Sequence, residues 1–139
     1  MHIPRILVIK NLLIWKLLPA LVWAIMILFL TGMPGTYFPK VATFWEWLSP
    51  DKLIHIFIFG VQSFLVLTAF RVQYLLSSSR LVYTSIIVSV TILFALLTEI
   101  LQVYVFIGRD GNIYDFIADV AGIMVGLLAY NLLHKKKES

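Results

Sequence analysis

The sequence predicts an all-α integral membrane protein, a bundle of four transmembrane helices whose N- and C-termini both lie in the cytoplasm. The first reason is composition: 61% of the 139 residues are hydrophobic, 13% are charged, and the mean hydropathy is +0.97. Soluble domains are about 45–50% apolar and about 25% charged, so a water-soluble globule is excluded. The second reason is that four segments approach the roughly 20 apolar residues that a spanning helix needs.

The first predicted helix covers residues 17–31, within an apolar run that has no charged residue until Lys40. Residues 1–16 alternate basic and bulky apolar side chains, which is typical of a segment that lies among lipid headgroups or extends the helix. A cleaved signal sequence has the same basic start and apolar run, but no small-x-small cleavage site follows Leu30. We therefore predict a retained helix.

Three further helices are predicted over residues 52–70, 81–101 and 113–133, within one domain of residues 1–139. The connection before residue 52 is rich in glycine and proline, which mark turns. The connection before residue 113 is a short polar turn. The chain has no cysteine, which excludes disulfides and thiolate metal sites.

The orientation is predicted from lysine and arginine in the connections, because cytoplasmic loops carry the excess of these residues. Eight basic residues fall on the side of both termini and three on the other side. The eight are Arg5, Lys10, Lys16, Arg71, Arg80, Lys135, Lys136 and Lys137, and the three are Lys40, Lys52 and Arg109. Topology and contact with anionic lipid thus explain the net charge of +4, and we predict no nucleic-acid partner.

Three ionisable residues are predicted to lie at one depth on three different helices. With a rise of about 1.5 Å per residue, His55 lies roughly 22 Å, Glu99 roughly 27 Å and Asp119 roughly 21 Å from the cytoplasmic helix ends. In a hydrocarbon core of about 30 Å, all three lie just below the outer boundary. Ionisable residues inside a bilayer are costly and mark functional sites, so these three are the candidate catalytic residues.

Helical spacing adds further polar residues to the same region. Asp51 is four residues from His55, so the two share a face of the second helix. Glu99 and Gln102 likewise share a face at the outer end of the third helix. The candidate ligand-binding residues are Asp51, Lys52, His55, Glu99, Gln102, Arg109, Asp115 and Asp119.

The fourth helix carries its two aspartates on one face. Asp115 and Asp119 are four residues apart, and the same face continues inward through Gly122 and Gly126. Two small residues at this spacing permit close approach of a neighbouring helix. We therefore expect the aspartate face to point into the bundle rather than towards lipid.

Several of these residues also have a purely structural interpretation. Asp51 after Pro50 is typical of the first turn of a helix, and Asn112 with Asp115 resembles a capping pair. Lys52 suits an anchor at the membrane interface. A buried carboxylate that only pairs with a nearby basic residue is the structural alternative for the cluster as a whole.

Four short motifs follow one another along the predicted helices: Asp51-Lys52-x-x-His55, Glu99-x-x-Gln102, Arg109 followed by Asp115, and Asp119-x-x-Gly122. In this order they resemble the VanZ-like family of small bacterial membrane proteins, over residues 20–133. The resemblance implies the bacterial plasma (inner) membrane, a link to the cell envelope, and a part in resistance to glycopeptide antibiotics of the teicoplanin type, with which the founding member is associated. It implies no mechanism.

The preferred function is binding. In this interpretation the polar site engages a lipid-linked cell-wall precursor or another membrane lipid at the outer leaflet. Arg109 would bind a phosphate or carboxylate through two hydrogen bonds, and Lys52 would act as a point charge. A homo-oligomer is left open.

Two other functions remain open from the sequence. In a membrane-embedded hydrolase or transferase acting on a lipid-linked phosphate, Glu99 or Asp119 would be the base, and His55 an acid or a ligand of a divalent cation. The sequence has no recognised metal or nucleophile motif that would favour this chemistry. In a small transporter or proton relay, Gln62 would extend the polar path inward from His55.

Overall fold

The computed structural model describes residues 5–34, 50–71, 74, 79–107 and 111–135. Four helices account for nearly all of these residues: α1 (Arg5–Gly32), α2 (Pro50–Ala69), α3 (Arg80–Tyr104) and α4 (Ile113–Lys135). The described ranges contain no strand. The predicted all-α fold with four helices is confirmed.

The helix ends differ from the predicted bounds. α1 begins at Arg5 rather than at residue 17, so the basic N-terminal segment extends the helix. α3 continues to Tyr104 rather than ending at residue 101, and the amide of Val105 still bonds the Leu101 carbonyl at 2.9 Å. The hydrophobic pattern did not mark this end because the last turn of α3 is itself largely apolar. The ends of α2 and α4 agree within two residues.

All four helices are long and apolar enough to cross a membrane. The spans are Ile14–Gly32, Pro50–Ala69, Arg80–Tyr104 and Ile113–His134, with mean hydropathies of 2.1, 1.7, 2.3 and 1.9. Large apolar side chains cover the outside of the bundle, and Phe29 and Leu93 are 68% and 64% exposed. Such a surface suits contact with lipid. The chain is a multi-pass membrane protein.

Consecutive helices run in opposite directions, so α1 and α3 end where α2 and α4 begin. Two hydrogen bonds hold these ends together: Gln102 Nε2 donates to the Thr31 carbonyl at 3.2 Å, and the Asn112 amide donates to Glu99 Oε2 at 3.0 Å. We call this part of the bundle, formed by the last turns of α1 and α3 and the first two turns of α2 and α4, the polar end. That it faces the outside, with both termini cytoplasmic, stays a prediction.

The closest helix packing in the bundle is between α2 and α4. Gly122 lies directly against the backbone of Ile56, and Gly126 directly against the carbonyl oxygen of Gly60. A Cβ atom at position 122 or 126 would overlap these backbone atoms, so only glycine permits this approach. The predicted packing role of the two glycines is confirmed.

Two buried apolar clusters fill the bundle along its length. The cluster next to the polar end comprises Ile27, Ile58, Phe59, Ala95 and Ile123. The cluster near the opposite end comprises Leu67, Ile87 and Tyr130. The α2 helix contributes to both clusters, and its contacts with the other three helices fix the position of its polar first turns.

Candidate functional site

The centre of the polar end is a buried pair between α2 and α4. His55 Nδ1 lies 2.8 Å from Asp119 Oδ1, and the two side chains are 3% and 0% exposed. In the tautomer that this contact favours, the ring donates its Nδ1 proton to the carboxylate. Gly122 lies one turn further along α4 and contacts the residue after His55, Ile56. The close approach of the two helix backbones is therefore what permits so short a bond.

Glu99 of α3 joins this pair because Gly111 and Asn112, just before α4, lie close to the end of α3. A Cβ atom at Gly111 would overlap the side chain of Val103 and lie 3.1 Å from the Glu99 carbonyl oxygen. The absence of a side chain at position 111 lets the chain pass close to the end of α3. The next amide, that of Asn112, then donates to Glu99 Oε2 at 3.0 Å.

The start of α4 corrects one prediction made from the sequence. Asn112 caps the helix, since its Oδ1 accepts the Tyr114 amide at 3.0 Å. The carboxylate that accepts the Asn112 amide, however, is Glu99 and not the expected partner Asp115. The close approach of Gly111 to the end of α3 brings that amide to Glu99, whereas Asp115 Oδ1 lies 3.8 Å from Lys52 Nζ of α2.

The predicted convergence of three helices is observed. His55, Glu99 and Asp119 are all buried, and one possible ligand atom from each lies within 4.8 Å of the others. The geometry therefore agrees with the depth calculation from the sequence. Their assignment as catalytic or ligand-binding residues stays a prediction.

A second group of possible ligand atoms shares the histidine. Asp51, His55 and Asp115 also offer one ligand atom each within 4.8 Å of the others. Pro50 and Asp51 form the first turn of α2, as the helix-start interpretation expected. We call the six residues of these contacts the polar cluster: Asp51, Lys52, His55, Glu99, Asp115 and Asp119.

Two predicted ligand-binding residues do not belong to the polar cluster as described. Gln102 is buried, and its amide nitrogen donates to the Thr31 carbonyl, which ties α3 to α1. This bond gives Gln102 a structural role, and a further role in ligand binding stays a prediction. Arg109 lies outside the described residues, so its predicted contact with phosphate or carboxylate also stays a prediction.

Two carboxylate oxygens of the polar cluster, Glu99 Oε1 and Asp119 Oδ2, are buried and have no hydrogen-bond partner among the described residues. The same holds for Gln62 Oε1, which lies further along α2. Buried polar atoms are normally hydrogen-bonded, and the exceptions call for an ion, a water molecule or a ligand. The two carboxylate oxygens can accept a cation or a donor from a ligand, and the histidine pair can transfer a proton between its partners.

The contact between α1 and α2 was not predicted from the sequence. Trp23 Nε1 donates to the Ile58 carbonyl at 2.8 Å. Tryptophans of membrane proteins are enriched in the interfacial belt, and from the sequence we expect those of this chain there or facing lipid. For Trp23 this expectation is wrong, because its indole bonds the neighbouring helix. The available signal was position, since Trp23 stands nine residues inside the end of α1 at Gly32, deeper than a belt residue.

Comparison with known proteins gives one match. A family model described as VanZ/LLP1 matches residues 16–134, a range that contains all six residues of the polar cluster. No curated protein and no solved structure matches the chain. The matched range covers nearly the whole chain and agrees with the resemblance carried by the four motifs. The chain belongs to the VanZ/LLP1 family.

Proposed function

We propose that this protein binds a lipid-linked precursor of the bacterial cell envelope, with the polar headgroup against the polar cluster and the chain between α1 and α2. It would act in the plasma membrane, from the outer leaflet. Binding would limit access of a teicoplanin-type glycopeptide to its target and so contribute to resistance. Family membership and the arrangement of the polar end support this proposal.

The observation that carries the proposal is a pocket of about 310 Å³ between α1 and α2. Its volume is at the lower end of the roughly 300–1,000 Å³ that is typical of small-molecule sites. Apolar side chains make up most of the wall, and Asp51 and His55 provide the polar part. The lining residues are Trp23, Met26, Leu30, Thr31, Asp51, Ile54, His55, Phe57 and Ile58.

The pocket suits an amphiphile better than a soluble ligand. Its wall of Met26, Leu30 and Phe57 offers apolar contact for a hydrocarbon chain, while Asp51 and His55 stand at the start of α2. Lys52 follows Asp51 in the chain but does not line the pocket, and its Nζ atom lies 3.8 Å from Asp115 Oδ1. A phosphate would share this point charge with Asp115. A lipid-linked precursor would place its hydrocarbon chain against the apolar wall, and Lys52 beside the pocket is the cation that we propose for its phosphate.

Tryptophan fluorescence tests this proposal because Trp23 lines the pocket. A variant in which phenylalanine replaces the tryptophans at positions 15, 45 and 47 keeps Trp23 as its only tryptophan. Brominated phosphatidylcholine in the micelles is expected to quench Trp23 when its chain occupies the pocket. Added polyprenyl phosphate should displace the brominated lipid and restore the Trp23 emission in a saturable manner. The uncharged polyprenol should need a higher concentration for the same recovery.

A matched pair of substitutions ties the signal to the pocket. Met26→Phe adds volume inside it, whereas Met124→Phe adds the same volume on the 51%-exposed outer face of α4. We expect about tenfold weaker binding for Met26→Phe and no change for Met124→Phe, since a methylene-sized change in an apolar pocket is worth about 1–3 kcal/mol. Equal affinities of the two variants, or no recovery of emission, would refute lipid binding in this pocket.

The link to resistance needs a separate measurement. Expression in a teicoplanin-susceptible bacterium is expected to raise the inhibitory concentration of teicoplanin. Lys52→Gln should reduce this increase because it removes the charge next to the pocket. The matched control Lys16→Gln lies in α1, on the side predicted to be cytoplasmic, and should leave it unchanged. An unaltered inhibitory concentration with the parent protein contradicts the role in resistance but not lipid binding.

A membrane-embedded hydrolase or transferase is the second candidate, favoured by the buried contact of His55 with Asp119 and by Glu99 beside it. A carboxylate that orients a histidine is a recurrent arrangement for proton transfer. Under this alternative, polyprenyl diphosphate incubated with the protein releases phosphate, and Glu99→Gln abolishes the release. Binding of the lipid without release of phosphate favours the first proposal.

A transporter or proton relay has less support, because Leu67, Ile87 and Tyr130 form an apolar layer inward of Gln62.

A further inference from the structure

We propose that His55, Glu99 and Asp119 form a binding site for one divalent transition-metal ion, of the class of Zn²⁺ or Mn²⁺. The site goes beyond the proposed lipid function and does not rest on it. It is defined by three side chains that α2, α3 and α4 each contribute at the polar end.

The distances between the donor atoms are close to those of a metal site. One possible ligand atom from each residue lies within 4.8 Å of the other two. Around an ion with bonds of about 2.0–2.2 Å, ligand atoms stand roughly 3.3 Å apart. Because 4.8 Å is the upper limit of these distances, a contraction of at most about 1.5 Å completes the site.

Each carboxylate is held by one oxygen and has its second oxygen available. Glu99 Oε2 accepts the Asn112 amide, and Asp119 Oδ1 contacts His55 Nδ1. The other oxygens, Glu99 Oε1 and Asp119 Oδ2, are buried and have no partner among the described residues. The Asn112 bond comes from outside the proposed coordination sphere and orients Glu99, as such bonds orient metal ligands. The bond between His55 and Asp119 joins two proposed ligands, so the ion would take the place of the proton between them, which is released on binding. The two oxygens without partners are the observation that points to a ligand.

Charge and donor type define the ion. Two carboxylates and a neutral imidazole carry a formal charge of −2 in a buried position, and a divalent cation neutralises it. Magnesium and calcium prefer sites made of oxygen alone, whereas imidazole nitrogen favours zinc, iron, nickel and copper, and carboxylates also suit manganese. The mixed nitrogen and oxygen set therefore favours Zn²⁺ or Mn²⁺ over Mg²⁺ or Ca²⁺.

Metal titration of the full-length protein tests the site directly. The protein is purified in detergent through a tag without histidine, stripped with a chelator, and titrated separately with ZnCl₂, MnCl₂ and MgCl₂. We expect one Zn²⁺ or Mn²⁺ per chain by elemental analysis, weaker binding of Mg²⁺, and weaker binding at acidic pH because the ligands must be deprotonated. No saturable binding of Zn²⁺ or Mn²⁺ up to millimolar concentration would overturn the proposal.

Substitutions assign the ion to this site. His55→Ala and Glu99→Gln are each expected to weaken metal binding at least about tenfold. Loss of a group that only supports a metal ligand already costs about tenfold, and loss of a ligand should cost no less. The matched control is His134→Ala, near the opposite end of α4, where Nδ1 contacts the Tyr130 carbonyl at 2.8 Å. It should leave the affinity unchanged. Undiminished binding in both site variants would place the ion elsewhere and overturn the proposal.

A measurement that keeps His55, Glu99 and Asp119 intact covers the case in which a site variant does not fold. Pulsed electron paramagnetic resonance of bound Mn²⁺ detects coupling to a coordinated imidazole nitrogen. The chain has three histidines. In the His134→Ala protein, the nitrogen coupling can therefore come only from His2 or His55. Nitrogen coupling that persists in a His2→Ala, His134→Ala double variant supports coordination by His55. Bound Mn²⁺ without nitrogen coupling in that variant overturns the proposal.

Discussion

Substitution of Gly122 by alanine is expected to open the polar cluster and destabilise the fold. The new Cβ atom would stand 2.9 Å from the Ile56 Cα atom and closer still to the Ile56 carbonyl oxygen. Ordinary carbon contacts begin near 3.4 Å, so α2 and α4 must separate locally by at least about 0.5 Å. The backbone of Ile56 cannot rotate away as a flexible side chain would.

The separation acts on the bond between His55 and Asp119, because these residues lie next to Ile56 and one turn from Gly122. The nitrogen–oxygen distance of 2.8 Å would increase to about 3.3 Å, beyond the usual limit of about 3.2 Å for an N–H···O bond. Overpacking costs about 1–3 kcal/mol, and interhelical hydrogen bonds in membranes contribute about 0.6 kcal/mol on average and up to about 1.7 kcal/mol. We therefore expect a loss of roughly 2–4 kcal/mol in the free energy of unfolding.

The assay is unfolding by sodium dodecyl sulfate in mixed micelles, followed by helical circular dichroism. Two glycines provide graded controls. At Gly60 the nearest atom to a new Cβ is the Gly122 carbonyl oxygen at 3.2 Å, so Gly60→Ala should cost less. At Gly32 it is the ring of Phe106, also at 3.2 Å, which is a side chain and can move. Equal stability of the Gly122→Ala and Gly32→Ala proteins would refute the close approach of α2 and α4.

Two further predictions concern contacts outside the α2–α4 packing. Trp23→Phe removes the indole bond to the Ile58 carbonyl and should lower the free energy of unfolding by about 0.6–1.7 kcal/mol in the same titration; Trp15→Phe, at a residue 72% exposed, should not change it. Asn112→Ala removes the acceptor of the Tyr114 amide and should cost about 0.5–2 kcal/mol, with faster amide exchange in the first turn of α4; unchanged exchange would contradict the capping role.

The sequence predicted the convergence of the polar cluster because helices in a membrane have a fixed rise per residue and begin at nearly the same depth. The count of residues from the ends therefore gave depth. His55 and Asp119 lie five and six residues inside the first residues of α2 and α4, and Glu99 lies five residues before the end of α3. Equal depth on three helices of one bundle leaves only their rotation undetermined.

Rotation and partner choice were harder to predict. The spans are apolar on most faces, so a contrast between polar and apolar sides gives weak information on which face points inward. For α4 the glycine stripe supplied that information, and its prediction was correct. For α1 the only available signal was the position of Trp23 well inside the helix, and its bond to α2 was missed. The Asn112 amide bonds Glu99 rather than Asp115 because Gly111 lies close to the end of α3. This contact joins two helices, so the pattern of one helix alone does not predict it.

The orientation of the bundle is the remaining prediction that decides what the polar end can contact. Basic residues favour both termini in the cytoplasm, so the connection that contains Ser49 should face outwards and the connection that contains Ser78 inwards. The chain has no cysteine, so single cysteines at these two positions can be labelled without background. The serine-to-cysteine changes are small and lie outside the four helices.

A membrane-impermeant maleimide is expected to label the Ser49→Cys protein in intact cells and the Ser78→Cys protein only after permeabilisation. This outcome would place the start of α2, with Asp51 and Lys52, next to the outer leaflet, where lipid-linked envelope precursors meet glycopeptide antibiotics. The reverse pattern would refute the proposed function, since the pocket would then open towards the cytoplasmic leaflet. It would leave the metal site intact, because the donors from α2, α3 and α4 meet in either orientation.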